Sequence, residues 1–250
     1  MGSVSVVRPI PLTSAAEVLL ATANDPYVRA SLRRPMVSGW TGFGAVAWFA
    51  TDAEERLPYL MTHGEPADVA ELLGELLPEL RDRQRVTLPR GTSPLLPAGV
   101  ALDATDWDFR WLGGPPPAQP GEDRVEMIDE ALVGPLLDAA APTASARPGD
   151  PAVRRWAGVV EGDELMACAA DTSAVPGVGQ LSSIAVHPGA RGRGLASAVT
   201  ARLARSLFAD GCDVVTLGMY ADNAAGRAVY DRLGFADDHR YSSGLLKLRH

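Results

Sequence analysis

The chain has 250 residues, room for one large domain or two smaller ones at roughly 100 to 200 residues each, and its 46% apolar and 22% charged composition is that of a folded globular protein. Lys plus Arg number 23 against 31 Asp plus Glu, a formal charge of −8, which argues against duplex nucleic acid or an anionic membrane as partner and mildly favours cationic ones such as amines. The two cysteines, Cys168 and Cys212, form no C-x-x-C pair and complete no zinc site, so they read as small apolar thiols in a reducing compartment.

The opening segment MGSVSVVRPIPLTS lacks a charged start followed by a long apolar run, and Val6 stands where a myristoylation signal needs Ser or Thr. The longest apolar stretch, FGAVAWFA, is far shorter than the roughly 20 residues that span a bilayer. A cytoplasmic protein without a membrane partner is expected. The N-terminal part predicts a short helix at Ser14–Ala21 and strands at Ala45–Ala50 and Tyr59–Thr62. In EPADVAELLGELLPEL, Val69, Leu72, Leu73, Leu76, Leu77 and Leu80 recur at three- and four-residue spacing between acids, one apolar face of a helix interrupted by Gly74 and Pro78. RVTLP reads as a strand, and WDFRW as another whose tryptophans pack a core.

GGPPPAQPGED, residues 113–123, is a proline-rich connector that denies backbone donors. It divides the chain into an N-terminal domain (1–112), a linker (113–123) and a second domain (124–250). Beyond it come a strand at VEMI, a helix at DEALVGPLLDAA and a loop at APTASARPGDP. RRWAGVVEGDELMACAAD reads as a hairpin whose acidic tip, Glu161, Asp163 and Glu164, is turn chemistry. LSSIAV is a strand, Arg191–Ala209 a helix, VVTLGM a strand, NAAGRAVYDRLGF a helix closed by Gly234, and YSSGLLKL adds strand. No period of 20 to 50 residues repeats.

The chemistry concentrates in Arg191, Gly192, Arg193, Gly194, Leu195, Ala196 and Ser197, which lead from a strand into a helix. A helix start leaves unpaired amides and a partial positive charge, glycine clears the approach, and arginine adds cationic charge, so phosphate is the ligand class to expect. No lysine follows the glycines, which excludes a Walker loop. A dinucleotide fingerprint beginning at Gly192 would end on Ser197, after a hairpin instead of a parallel unit.

The segment resembles Arg/Gln-x-x-Gly-x-Gly/Ala, the acetyl-coenzyme A motif of the GNAT superfamily of N-acetyltransferases, set here in IAVHP…RGRGLA. Downstream, Asn223 and Tyr230 in NAAGRAVYDRLGF are similar to that family's second motif, Asn-x-x-Ala-x-x-x-Tyr followed by Leu-Gly-Phe. The resemblance covers roughly Val125 onward. It implies an α/β (α+β) fold with a mixed, mainly antiparallel sheet flanked by helices, accompanied by a smaller N-terminal α+β domain. It implies acetyl-CoA as co-substrate without a metal, and transfer of acetyl to a primary amine of a small molecule, amino acid or peptide by direct attack. By the same resemblance, the backbone of Ile184, Ala185 and Val186 pairs with the pantetheine arm where neighbouring strands splay. The amides from Gly192 to Ser197 cradle the pyrophosphate, Asn223 contacts the cofactor, and Tyr230 addresses the thioester sulfur, with packing and helix capping as their structural alternatives.

Two departures stand out. Gly226 occupies the family's Ala position. The family's usual base positions are Gly218 in one branch and Ser182 and Ser183 in another, so a base is sought among Asp171, Glu161, Tyr220 or a water held by Ser183. An inactive CoA-binding sensor or scaffold is the rival reading. His63, His187, His239 and His250 are scattered and suggest no metal site. The strand, acidic helix, strand order at residues 58–90 looks like a worn half of the same fold, against the alternative of an unrelated α+β lid. Oligomeric state and the acceptor are not legible.

Overall fold

The computed structural model describes residues 8–51 and 57–248. The readings made on MGSVSVV and on His250 lie outside them. In chain order the elements are β1 Ile10–Leu12, α1 Ala15–Ala21, α2 Pro26–Ser31, β2 Met36–Gly42, β3 Ala45–Ala50, β4 Tyr59–His63, α3 Pro66–Glu75, β5 Arg85–Pro89, β6 Val100–Leu112, β7 Glu126–Ile128, α4 Val133–Ala140, β8 Arg155–Glu161, β9 Glu164–Asp171, β10 Val178–Val186, α5 Leu195–Ala209, β11 Val214–Tyr220, α6 Ala224–Arg232 and β12 Ala236–Leu248. The chain forms two compact units, one of residues 1–108 and 239–250 and the other of residues 109–238. The unit boundary falls inside β6, before the proline-rich segment, and the last strand returns from His239 to the first unit.

In the first unit, β1, β2, β3 and β4 pair antiparallel in sequence, β4 pairs parallel with β5, and β12 pairs antiparallel with β5 from Tyr241 to Leu245. The parallel pair requires a crossover, which α3 supplies. Val69, Leu72 and Leu73 are its buried face and pack with Ala45, Ala47, Leu60, Val86 and Leu88 of the sheet. The apolar pattern was read as running to Leu80, but the α-helix stops at Glu75 and Leu77–Glu79 is a 3₁₀ turn. Pro78 has no amide to continue the ladder, so the tighter turn takes over. At the other end of the unit, α1 carries a capping box in which Ser14 Oγ accepts from Glu17 N and the Glu17 carboxylate accepts from Ser14 N.

The second unit runs β11-β10-β9-β8-β7, with β10 and β11 parallel and the remaining pairs antiparallel. Strand alternation sorts its core into two faces. Ala167 and Ala169 of β9 join Leu181 and the α5 residues Leu195, Val199, Leu203 and Leu207 in one cluster. Cys168 and Ala170, the residues in between, join Val133, Leu136 and Leu137 of α4 in another. A largely antiparallel sheet flanked by helices is the result. Gly158 leaves room for the neighbouring strand, since a Cβ there would stand 2.7 Å from the Ala167 carbonyl oxygen of β9.

Candidate functional site

The site begins where β10 leaves its neighbour. Pairing with β11 runs from Val178 to Leu181 and stops, although β10 continues to Val186 and β11 to Tyr220. On the other side, the register with β9 shifts between Ser182 and Ala185 before resuming at Ala185–Cys168 and Val186–Ala167. Ser183 sits in this bulge at φ +48°, and the extra residue turns the strand away from its neighbour. Ala185 and Val186 therefore remain tied to β9 while the opposite edge of Ile184–Val186 lies past the end of the β11 ladder. That is a strand edge ready to accept an extended ligand.

The loop beyond β10 takes a 3₁₀ turn at Pro188–Ala190, then Arg191 to Gly194, and enters α5 at Leu195. Sequence periodicity extended this helix back to Arg191. The structure starts it four residues later because Gly192 and Gly194 lie at φ +78° and +79°, a left-handed geometry that does not propagate a right-handed helix. The first helical bond runs from Ala198 N to Gly194 O. Among the described residues, no amide from Gly192 to Ser197 donates to a protein acceptor, and the space that a Cβ on Gly192 or Gly194 would enter is open. Six amides without a protein acceptor, Arg191 and the N-terminal end of a fifteen-residue helix thus follow one another along the chain, a combination chemically suited to phosphate. Arg232 adds a further cation, its Nη1 lying 3.4 Å from Ser197 Oγ.

Glu161 was read as turn chemistry, and the structure corrects that. Its carboxylate accepts from Arg124 Nη2 at 2.5 Å and from both terminal nitrogens of Arg193, one at 3.1 Å. These two arginines hold its carboxyl down to about 2, so it is ionised throughout the neutral range and is no proton acceptor. Asp171 is committed as well: it is buried, accepts from Ser173 N and lies 3.1 Å from Arg155 Nε. It lines a cavity of about 500 Å³ at the Val178 end of β10, away from the loop that follows Val186. Tyr220, half-exposed at the end of β11, carries neither tie.

Ser183 donates its hydroxyl to Ala146 O at 2.7 Å and accepts from Ala146 N at 3.0 Å, which ties the loop after α4 to the bulge. Asn223 caps α6, its Oδ1 accepting from Gly226 N at 2.8 Å. A Cβ on residue 226, where the family motif has alanine, would stand 2.6 Å from Asn223 Nδ2, the end of a flexible side chain. Tyr230 is 6% exposed and packs edge-on to Phe235 at 5.6 Å. Burial pushes its phenol up to about 12, partly opposed by Arg110. Arg110, fully buried, donates to Asp231 Oδ1 at 2.7 Å and to the Phe235 carbonyl, holding the last turn of α6 to the residues that follow it. Sequence reading passed over Arg110, Arg124 and Arg232, because an arginine outside a motif carries no local signal of its partners.

Cys168 donates its thiol to Ser183 O at 3.5 Å, and burial pushes it to about 12, so it is no nucleophile at neutral pH. The four histidines read as scattered do not all stay so: His63 and His239 gather around Asp25 in the first unit.

A mixed sheet with one splayed parallel pair, a bulged strand and a glycine-rich helix entry is an acetyltransferase architecture. Residues 124–235 match the family model "Acetyltransferase (GNAT) family", so this part of the chain is a GNAT acetyltransferase domain. It is 30% identical over 184 residues to a mycothiol acetyltransferase of Streptomyces avermitilis, covering 70% of this chain and 56% of the relative. The chain spans about half the length of the two mycothiol acetyltransferases it matches. Among solved structures, a Drosophila protein superposes with TM-score 0.59 at 15% identity, covering 97% of this chain and 98% of that one. A GCN5-related N-acetyltransferase from Kribbella flavida gives 0.51 at 19% identity, covering 94% and 96%. Those likenesses establish the fold. None of the helices among the described residues is long and apolar enough to cross a membrane.

Proposed function

We propose that the second unit transfers acetyl from acetyl-CoA to a primary amine of a small molecule, amino acid or peptide. The observation that carries the reading is the splayed strand Ile184–Val186 running into the amide-lined loop Gly192–Ser197, a strand edge and a phosphate cradle in one continuous path. Acetyl-CoA would supply an activated thioester when bound. The chain's residues supply the rest. The Ile184–Val186 backbone orients the pantetheine arm, the Gly192–Ser197 amides with Arg191 and Arg193 hold the diphosphate, and Asn223 contacts the arm from the start of α6.

Tyr230 stays protonated at neutral pH and so can donate a hydrogen bond to the departing sulfur. Full proton transfer from a phenol near 12 to a thiolate whose own pKa is about 8.5 runs uphill by roughly 5 kcal/mol. Its role is therefore stabilisation of the developing charge, with solvent completing protonation. The amide of Val186 meets the oxyanion of the attacked carbonyl in this reading. Ser183 acts by holding the loop at Ala146 against the bulge. With Glu161 and Asp171 held in ion pairs, deprotonation of the acceptor falls to Tyr220, to water, or to desolvation of the amine.

The first unit repeats this arrangement without its chemistry, and we read it as a degenerate copy of the same fold. β2-β3-β4 are antiparallel with β4 and β5 parallel across α3, as β8-β9-β10 are antiparallel with β10 and β11 parallel across α5. The start of α3 is unsuited to phosphate, since Glu65 stands at the cap and Pro66 removes an amide donor.

Incubation with acetyl-CoA and a panel of primary amines, including the unacetylated form of mycothiol, tests the function. Acetylated product is followed by mass spectrometry, because thiol acceptors obscure a free-thiol assay. A catalyst forms product with at least one amine. CoA binding without product from any amine supports the sensor reading instead.

A further inference from the structure

The first unit brings together three metal-ligand side chains from distant points of the chain. Asp25 stands before α2, His63 ends β4, and His239 lies in β12. Their ligand atoms all lie within 4.8 Å of one another. Asp25 Oδ2 is 2.7 Å from His239 Nε2, and Asp25 Oδ1 is 3.9 Å from His63 Nδ1. The two imidazoles lie nearly parallel, with centroids 5.9 Å apart and planes inclined by 25°.

The carboxylate is oriented from behind. Asp25 Oδ1 accepts from the amides of Tyr27 at 2.9 Å and Val28 at 3.2 Å, which fixes the group and aims Oδ2 at His239. Such outer hydrogen bonds are what hold a metal-ligating carboxylate in place. An aromatic wall flanks the cluster: Tyr27 stacks at 6.4 Å from His63, Tyr241 lies 6.3 Å from His239, and both tyrosines are buried. The side chains of Asp25 and His239 are 13% and 12% exposed and that of His63 is 26% exposed, so the cluster opens to solvent on the His63 side.

A purely structural Asp25–His239 hydrogen bond accounts for two of these residues. It leaves His63 with a ring nitrogen turned to the same carboxylate just beyond hydrogen-bond reach. A tetrahedral ion bound at about 2.0 to 2.2 Å holds its ligands roughly 3.3 to 3.6 Å apart. The close pair must open by under an ångström and the widest separation, within 4.8 Å, must close by up to about 1.5 Å, movements that rotation of the partly exposed His63 side chain can supply. Two imidazoles and one carboxylate are the N/O donor set that suits Zn²⁺ with one position left for water.

We propose that Asp25, His63 and His239 form a transition-metal site in the first unit, suited to Zn²⁺ and open to a fourth ligand on the His63 side. The site is independent of acetyl transfer by the second unit. The test uses the full chain freed of any affinity tag and treated with chelator, dialysed against ZnCl₂ and analysed for bound metal. The expected result is about one zinc per chain, with His63→Ala reducing it to background. His63→Ala leaves the Asp25–His239 bond in place, so the variant tests the site without removing that tie to the fold. A Cys212→Ser chain should retain the metal. Cobalt substitution should give the intense visible absorption of a tetrahedral centre, lost in His63→Ala. Absence of stoichiometric zinc in the wild type overturns the proposal, as does undiminished zinc in the His63→Ala and His239→Gln variants.

Discussion

Gly194→Glu is the most direct probe of the phosphate cradle. Gly194 stands at φ +79° before the first residue of α5, with nothing within 4 Å of the position a Cβ would take. Two costs separate cleanly. Left-handed backbone costs a non-glycine residue about 1 to 2 kcal/mol, which lowers fold stability equally in glutamate and alanine variants. The carboxylate acts only on the bound diphosphate: at about 5 Å, with an effective dielectric between 20 and 80, repulsion is about 1 to 3 kcal/mol per unit charge. Affinity for CoA should fall roughly five- to 160-fold. Calorimetric titration of CoA into wild-type, Gly194→Ala and Gly194→Glu proteins, alongside urea unfolding of each, reads the two costs apart. The variants should share the stability loss, and Gly194→Glu should bind CoA markedly more weakly than Gly194→Ala. A Gly194→Glu chain that folds and binds CoA as the wild type does would falsify the placement of the diphosphate at this helix start.

Tyr230→Phe removes a hydroxyl that makes no protein hydrogen bond among the described residues, so unfolding should be little changed while kcat drops about 10- to 100-fold and KM for acetyl-CoA stays within about twofold; unaltered kcat would make Tyr230 a packing residue. Ser183→Ala deletes both bonds to Ala146 and should cost about 1 to 3 kcal/mol in urea unfolding and speed proteolysis in residues 141–154, and no change in either would show that the loop is held by other contacts. Cys168, pushed up to about 12, holds only about one thiolate in 10⁴ molecules at pH 8, so iodoacetamide should label half-buried Cys212 first and Cys168 only on unfolding. Because burial raises that value, labelling of Cys168 should remain slow as pH climbs from 7 to 9, and equal labelling of both thiols in the native chain would contradict the packing.

Much of the fold was legible because the strands obey simple patterns. Ala45–Ala50 and Arg85–Pro89 are apolar runs between turn residues, and the hairpin at Glu161–Glu164 is marked by Gly162 at φ +62°. The six-residue α2 was missed because its pattern is too short to establish a period, although Asp25 and Pro26 supply a cap and a first-turn proline. The glycine–arginine loop was visible as chemistry but not as geometry, since only positive φ at Gly192 and Gly194 moves the start of α5 to Leu195. The bulge at Ser183 left no trace in LSSIAV, because a bulge is a property of two paired strands. The pairing of Glu161 with Arg124 and Arg193, and the meeting of His63 with His239, depend on tertiary contacts that no local spacing encodes.

The early end of the β10–β11 ladder leaves the second unit's sheet open between these two strands, and a thioester carrier lying along Ile184–Val186 would complete it. Occupancy and folding then become linked quantities: carrier present at a hundred times its dissociation constant adds about 2.7 kcal/mol to the folded state. A cell rich in that carrier would contain a sturdier protein than a dialysed tube does, and starvation for it would expose this seam to amide exchange before any other part of the second unit changed.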